Sequence, residues 1–259
     1  MSGTNGLNGH AVYPSLKGRL VVVTGGASGI GAGLTEAFVQ QGARVVFLDI
    51  SAEQGRALDQ SLSGEDPAPE FRVCDLTDLE RLKATIASIV ADHGPVDVLV
   101  NNAANDDRHA IGEVTPAYWD DRMSVNLRHQ FFASQGVIPG MRDAGRGVIL
   151  NLGSISWHLA LPQLSLYETA KAAIEGMTRA MARELGGDGI RVACIVPGNV
   201  KTDRQMQWYT PEAEAEIVDA QCLKLRIEPR DVAALALFLA SDDARAITGH
   251  EYFVDAGWR

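Results

Sequence analysis

The sequence predicts an α/β fold: one domain built on a seven-stranded, mostly parallel, doubly wound sheet flanked by helices. Three observations predict it. Short β-branched runs alternate with helix-length amphipathic segments along the chain. The runs are apolar at nearly every position, as in Val96-Asp97-Val98-Leu99-Val100, which is what burial on both faces of a sheet requires. A length of 259 residues, 46% hydrophobic and 22% charged, supplies one large core, with no internal repeat, low-complexity block or interior linker.

In chain order, residues 1–16 lack the apolar stretch of a secretory signal and read as a flexible leader, so the domain runs from 17 to 259. Strands are expected at Leu20–Thr24, Ala43–Ile50, Glu70–Cys74, Val96–Asn101, Gly147–Leu152, Ile190–Val196 and Glu251–Val254. Helix starts are signalled by the capping boxes Ser51-x-x-Gln54 and Thr77-x-x-Glu80, and by proline in the first turn at Thr115-Pro116 and Glu228-Pro229. Long helices are expected at Ala32–Gln41, Tyr118–Ile138 and Ser165–Leu185, and the apolar run Val232–Ala240 reads as the buried face of another. That run is well short of the roughly 18 residues of a membrane span.

Composition excludes several functions. Lys and Arg total 23 against 33 Asp and Glu, a formal charge of −10 without any basic run, which opposes binding to nucleic acid or an anionic membrane. Cys74, Cys194 and Cys222 are odd in number, far apart and without metal-ligand spacing; they read as reduced core thiols of a cytoplasmic chain, and no metal site is expected.

In a doubly wound sheet, ligands bind beyond the carboxyl ends of the strands. The first strand runs into Thr24-Gly25-Gly26-Ala27-Ser28-Gly29-Ile30-Gly31 and then a helix. Gly25, Gly29 and Gly31 let the turn bend and the backbone approach a pyrophosphate, with the amides of Ser28 and Ile30 beside it at the helix N-terminus. The second strand ends at Asp49, eighteen residues past Gly31, where a carboxylate meets an adenosine ribose 2′-OH and repels a 2′-phosphate. No basic residue follows in Ile50-Ser51-Ala52, so NAD is favoured over NADP. Asp75-Leu76 and Asn102-Ala103 follow the next two strands; each offers groups for the adenine edge or the backbone, or caps a turn.

Tyr167 and Lys171 stand one helical turn apart. An ammonium at about 4 Å favours a phenolate by roughly 4 kcal/mol, about three pKa units, which makes the tyrosine a usable base. Tyr13 and Lys17 share the spacing, but Pro14 disfavours a helix there. Ser154, thirteen residues before Tyr167 and just past a strand, is placed to bond the reacting oxygen, with Ser156 its nearest rival.

With these motifs in order, the chain resembles the short-chain dehydrogenase/reductase family from Lys17 to Arg259, adding Asn126 in Val-Asn-Leu and Pro197-Gly198 with Val200 and Thr202. The resemblance implies a Rossmann fold, a catalytic tetrad of Asn126, Ser154, Tyr167 and Lys171, contacts from Val200 and Thr202 to a nicotinamide carboxamide, Lys171 on the nicotinamide ribose, and a homotetramer. Two departures stand out: Ala104 where the family usually has glycine after Asn-Asn-Ala, and Ala256 in Asp255-Ala256-Gly257 in place of Asp-Gly-Gly.

The strings Asn105-Asp106-Asp107-Arg108-His109, Ser154-Ile155-Ser156-Trp157-His158 and Asn199-Val200-Lys201-Thr202, with Trp208, look like those of the family's NAD-dependent aldose 1-dehydrogenases. That resemblance implies oxidation of an aldopentose at its anomeric C1 hydroxyl to a lactone, with D-xylose ahead of L-arabinose, L-fucose or D-galactose. Asn105, Ser156, His158, Asn199 and Trp208 supply the directed polar groups and the indole that a sugar site needs, alongside Ser154 and Tyr167. His158 reads equally as a packed loop residue, Trp208 as a seal, and the pair Asp106/Arg108 as a loop or subunit contact. Tyr167 would remove the hydroxyl proton, and Asn126 would hold a water leading from Lys171 to solvent. Asp203–Gln221 reads as a lid that orders on substrate, or else as a permanently packed hairpin. The same fold also permits a dinucleotide-sensing module without turnover, which has no physical need of an intact Ser154/Tyr167/Lys171 set.

Overall fold

The computed structural model describes residues 9–207 and 209–258. Seven strands, β1 (Leu20–Thr24), β2 (Arg44–Asp49), β3 (Glu70–Val73), β4 (Val98–Asn101), β5 (Gly147–Leu152), β6 (Ile190–Pro197) and β7 (Glu251–Val254), form one sheet in the order 3-2-1-4-5-6-7. Every pairing is parallel. Ten α-helices cover its faces among the described residues: α1 (Gly29–Gln40), α2 (Ala52–Ser61), α3 (Leu79–His93), α4 (Pro116–Met123), α5 (His129–Ala144), α6 (Ser156–Leu159), α7 (Ser165–Leu185), α8 (Asp203–Met206), α9 (Pro211–Ala220) and α10 (Pro229–Ala240).

The two faces of β1 show why the strands are apolar throughout. Val21 and Val23 pack into the core beneath α1 and α10, while Leu20 and Val22 pack into the core beneath α3, α5 and α7. A polar residue at any of these positions would sit in a dry layer. The chain order reverses between β1 and β4, whose ends Thr24 and Asn101 lie in register. That switch point opens the crevice in which such sheets bind ligands.

Several expectations change in detail. The helix expected over Tyr118–Ile138 is α4 and α5 joined by a π-turn at Ser124–Arg128, which carries Asn126. Thr77 is not the cap of α3: Asp78 accepts from the Arg81 amide, and Thr77 donates both its N–H and its hydroxyl to Asp75 Oδ1. Of the sixteen-residue leader, residues 1–8 lie outside the described residues. Residues 14–16 form a 3₁₀ turn, Leu16 is fully buried, and the Tyr13 amide donates to Gln41 Oε1 at 2.8 Å, so the packed chain begins before Lys17. Ala104 keeps a negative φ, whereas Ala256 takes the left-handed φ of 53° that favours glycine. No helix among the described residues is long and apolar enough to cross a membrane.

Candidate active site

The glycine loop between β1 and α1 is shaped first by its own packing. A Cβ on Gly31 would lie 1.8 Å from the Gly25 carbonyl oxygen, and one on Gly25 (φ 62°) would lie 2.7 Å from Ala103 Cα. Asn102 ties this loop to β4, its side-chain amide donating to the carbonyls of Thr24 (3.0 Å) and Gly25 (2.9 Å). Gly29 (φ 53°) brings the start of α1 against Thr202, whose Cγ2 would stand 3.2 Å from a Cβ there.

The helix that follows is left open to an anion. Ser51, Asp78, Thr115, Thr202 and Thr210 each cap the helix they precede with a side-chain oxygen, but Ser28 makes no such bond. The first-turn amides of Gly29, Ile30 and Gly31 therefore remain for a ligand, at the positive end of the helix dipole. Asp49 closes the other side: Oδ2 accepts from the Ala27 amide (3.1 Å) and Oδ1 from the Ser51 amide (2.9 Å). Next to it Ile50 is 68% exposed, Leu76 is buried, and Asp75 turns one oxygen back on Thr77. A backbone cradle for an anion, an acidic residue beyond it and an apolar ledge fit a dinucleotide.

At the far side of the switch point, Ser154 is pinned by its neighbours. The Gly153 amide donates to Ile195 O (2.8 Å) and the Ile155 amide to Pro197 O (3.0 Å), so the chain continues the β6 ladder on both sides of the serine. Ser154 Oγ lies 3.0 Å from Ser156 Oγ and accepts from the Ser156 amide at 3.2 Å. The Tyr167 phenol stands beside Ser154, whose hydroxyl opposes the rise of its pKa, so the first turn of α7 meets the strand end. Lys171, one turn on, is buried and donates to Leu152 O at 2.7 Å, with its Nζ 5.4 Å from the centre of the Tyr167 ring.

Electrostatics here differ from the sequence expectation. Burial pushes the Tyr167 phenol well above its ordinary value, with Asp106 adding to the rise and the Ser154 bond and Arg204 opposing it. The same burial lowers Lys171 to about 8. The expected lowering of the phenol by an ammonium close to its oxygen assumed a solvated pair. Lys171 instead directs a hydrogen bond at the Leu152 carbonyl, and in a dry site desolvation dominates both groups. The resting phenol is neutral.

Asn126 also takes a more structural position than expected. Its Oδ1 accepts from the Asn105 amide (2.8 Å) and its Nδ2 donates to the Asn105 carbonyl (3.0 Å), so the buried carboxamide fixes the loop after β4. His129, fully buried and adjacent, bonds the Ala103 carbonyl at 3.1 Å, and burial lowers its imidazole to about 4.

Three of the seven residues singled out for the sugar are committed to other protein groups. Asn105 Oδ1 accepts from Arg204 (3.2 Å). Asn199 donates to the Tyr209 hydroxyl (2.7 Å) and accepts from Arg226 (3.0 Å). His158 bonds Glu175 Oε1 at 3.1 Å and lies between Trp157 and Phe253, the packed arrangement that the sequence left open. Asp106 pairs with Arg204 (2.9 Å), while Arg108 donates to Pro162 O (3.2 Å), so these two do not pair with each other. Trp208 lies outside the described residues. Ser154, Ser156 and Tyr167 remain together at the floor. Pro197 and Gly198 follow β6, Gly198 so close to Asp255 that a Cβ would lie 2.8 Å from its Cα. Val200 is buried, and Thr202 both meets the glycine loop and caps α8.

Two functional features were missed. Glu175, buried one turn beyond Lys171, accepts from Trp157 Nε1 (2.8 Å) as well as His158, holding the turn that follows Ser154. Its i+8 spacing from Tyr167 was a legible signal. Arg204 was not, because its partners lie 98 and 99 residues away.

Comparison with known proteins gives a consistent result. A family profile described as enoyl-(acyl carrier protein) reductase matches residues 25–259. A D-xylose 1-dehydrogenase of Caulobacter vibrioides is 65% identical over 249 residues, covering 96% of this chain and 99% of that protein. A probable galactose dehydrogenase of Rhizobium meliloti is 47% identical over 95% of this chain and 96% of its own length. A D-threitol dehydrogenase of Mycolicibacterium smegmatis is 34% identical over 94% of each.

Proposed function

The chain belongs to the short-chain dehydrogenase/reductase family, and on that premise we propose that it oxidises the anomeric C1 hydroxyl of an aldopentose, D-xylose first, to the aldonolactone with hydride transfer to NAD. The observation that carries the chemistry is the hydroxyl pair Ser154–Tyr167 at the end of β5, with Lys171 against the phenol ring. The choice of sugar rests on likeness to the Caulobacter and Rhizobium proteins, both named for aldoses.

Ser154 fixes the reacting oxygen, and Tyr167 Oη, once the phenol has given up its own proton to solvent, takes the anomeric hydroxyl proton as the C1–H bond breaks and the C1=O bond forms. A bound oxidised nicotinamide supplies the hydride acceptor and a positive charge. Lys171 adds its own charge behind the ring and is anchored by Leu152 O, so its Nζ cannot swing away. The Gly29–Gly31 amides hold the pyrophosphate. Asp49, whose two oxygens already accept backbone amides, accepts the ribose hydroxyl with remaining lone pairs and repels a 2′-phosphate, which supports NAD over NADP.

Two coarser features belong to the same reading. An apolar groove lined by Met123, Leu127, Phe131, Phe132, Ala173 and Met177, with Phe131 45% exposed, supports a homotetramer built on the α5 and α7 faces. Three unpaired cysteines, two of them buried, suit the reducing cytoplasm.

The test is Tyr167→Phe, assayed by NADH absorbance with D-xylose, L-arabinose, D-galactose and L-fucose, with NAD and NADP side by side. Turnover should fall by about a thousandfold or more with NAD affinity nearly intact. Retained turnover rejects Tyr167 as the base, and a higher kcat/KM with NADP rejects the role given to Asp49.

A further inference from the structure

The helix that carries Tyr167 has no cap of its own. Its N-cap residue is Leu164, which offers no side-chain acceptor, whereas Ser51, Asp78, Thr115, Thr202 and Thr210 each cap the helix they precede. The acceptor arrives instead from the loop after β4. His109 Nε2 lies 2.9 Å from Ser165 Oγ and accepts from the Leu166 amide at 3.4 Å, the place an N-cap oxygen would fill. The ring does this in one form only. Its Nδ1 stands 3.2 Å from the Asp107 carbonyl, which can only accept, so Nδ1 carries the hydrogen and Nε2 the lone pair. Tyr118 packs against the imidazole in an edge-to-face contact, with ring centres 5.4 Å apart. The adjoining backbone reinforces the attachment. Arg108 donates to Pro162 O at 3.2 Å and the His109 amide to Gln163 O at 2.9 Å, which holds Gln163 in a left-handed φ of 66°. The loop is itself fixed at its start, where Asn126 bonds both the N–H and the carbonyl of Asn105.

We propose that His109 is a positioning residue for the reaction: as a cap supplied from another loop, its neutral imidazole orders the first turn of α7 and thereby sets the place of Tyr167. Tyr167 is the third residue of that helix, inside the turn whose amides the cap serves, so fraying of the turn displaces the phenol. Lys171 belongs to the next turn and is held independently by its bond to Leu152 O at 2.7 Å. The cap therefore governs one member of the pair and spares the other. Further contacts support the turn without replacing the acceptor. Leu166 is buried, Thr169 Oγ1 donates to Ser165 O at 2.7 Å, and Glu168 Oε1 accepts from the Leu161 amide at 2.8 Å, but none of these takes the Leu166 N–H. Through residues 105–109 the turn that carries Asn126 and the turn that carries Tyr167 share one support.

The inference rests on Tyr167 as the base, and its test separates the two. His109→Phe keeps a planar ring against Tyr118 but has no acceptor, whereas His109→Gln brings an Oε1 that reaches the same amide. In His109→Phe, kcat with D-xylose should fall about tenfold while the NAD dissociation constant stays within about twofold, and the peptide spanning residues 164–168 should exchange its amide hydrogens about tenfold faster. His109→Gln should return kcat to within about threefold of the wild type and slow the exchange again. Wild-type kcat in His109→Phe overturns the proposal. Equal impairment of the two variants overturns it as well, by assigning the effect to the ring and not to its acceptor, and so does a higher sugar KM at unchanged kcat, the mark of a direct sugar contact. The tautomer needs no variant to fold: nitrogen-15 NMR of the wild type should show His109 protonated at Nδ1 and bare at Nε2, and the reverse assignment overturns the cap. Exchange and tautomer report on the cap whatever the chemistry, whereas the reading of Tyr167 as the base fails only if Tyr167→Phe remains active.

Discussion

The glycine cradle beneath β1 and the mouth above Tyr167 are neighbours held by different forces. In the cradle, backbone meets backbone: Gly31 against the Gly25 carbonyl, Gly25 against Ala103, the Ala27 and Ser51 amides on Asp49. At the mouth, side chains meet side chains across long loops: Arg204 with Asp106, Asn199 with Tyr209 and Arg226, and Arg226 paired with Glu214. The difference follows from the task. A pyrophosphate held there, as proposed, would be recognised by amides that must not move, and fixed backbone gives them at no reorganisation cost. A sugar has to enter and leave, and an exposed ion pair such as Arg204–Asp106, worth roughly 1 kcal/mol or less, can be broken and remade.

Glycine substitutions break that comparison most severely. Gly31→Ala places a Cβ 1.8 Å from the Gly25 carbonyl oxygen, an overlap that only displacement of the loop relieves. NAD affinity should fall at least a thousandfold, about 4 kcal/mol, in a fluorescence or calorimetric titration. The matched change on the exposed turn Ile111–Glu113 in the loop after β4, Gly112→Ala, meets nothing within 4 Å and has no positive φ. It should leave both NAD affinity and kcat within about twofold. Equal losses at the two positions would mean that the cradle is no more rigid than that exposed turn.

The same contrast explains what the sequence disclosed. The strand ends and the glycine loop were legible because glycine spacing, apolar runs and a carboxylate at a strand end each report a backbone requirement at short range. β1, β5 and β7 have the expected bounds, β2 is one residue shorter at each end, and the other strands differ by a residue or two at one end. The floor of the site was legible as well, since Tyr167 and Lys171 are set by helical periodicity and Ser154 by the end of β5. The occupants of the mouth were not. Asn105 and Asn199 read as polar groups offered to a sugar, and His158 as either that or a packed loop residue, but each is bonded to another side chain of the protein. Residue type announces hydrogen-bonding capacity and not which partner takes it. The Tyr167 ionisation was misjudged for a related reason: spacing reported a nearby cation, whereas burial, which spacing does not report, governs the buried pair.

His129 joins the two regions, and its titration measures how firmly they are joined. Its ring bonds the Ala103 carbonyl, whose residue packs against Gly25 on one side and leads to the Asn105 loop on the other. Burial lowers the imidazole from 6.5 to about 4, so between those values the unfolded chain binds the extra proton. Stability from this group is complete above about pH 6.5 and is lost as pH falls through 4, up to about 3 kcal/mol. His129→Gln, which keeps a donor for Ala103 but cannot take the charge, should flatten the acid side of the stability profile across that window in urea denaturation. An unchanged slope would show that the histidine does not hold the junction in its neutral form.

The smallest effect is expected behind the mouth, where residues 255–257 support the chain on both sides of the segment 203–221. Asp255 packs against Gly198, and the Ala256 carbonyl accepts from the Leu223 amide at 3.0 Å. Ala256 does this with a φ of 53°, a conformation that costs an alanine about 1 kcal/mol relative to glycine. Ala256→Gly removes that strain but also loses a methyl group packed on the core and increases the freedom of the unfolded chain, each offsetting a few tenths of a kcal/mol. The sum favours glycine by about 0.5 kcal/mol, read as a higher urea midpoint at constant slope. Because the Leu223 bond uses only the backbone, kcat/KM should not move. A destabilised variant would mean that the methyl contact outweighs the strain, and that the mouth, too, relies on close packing at its base.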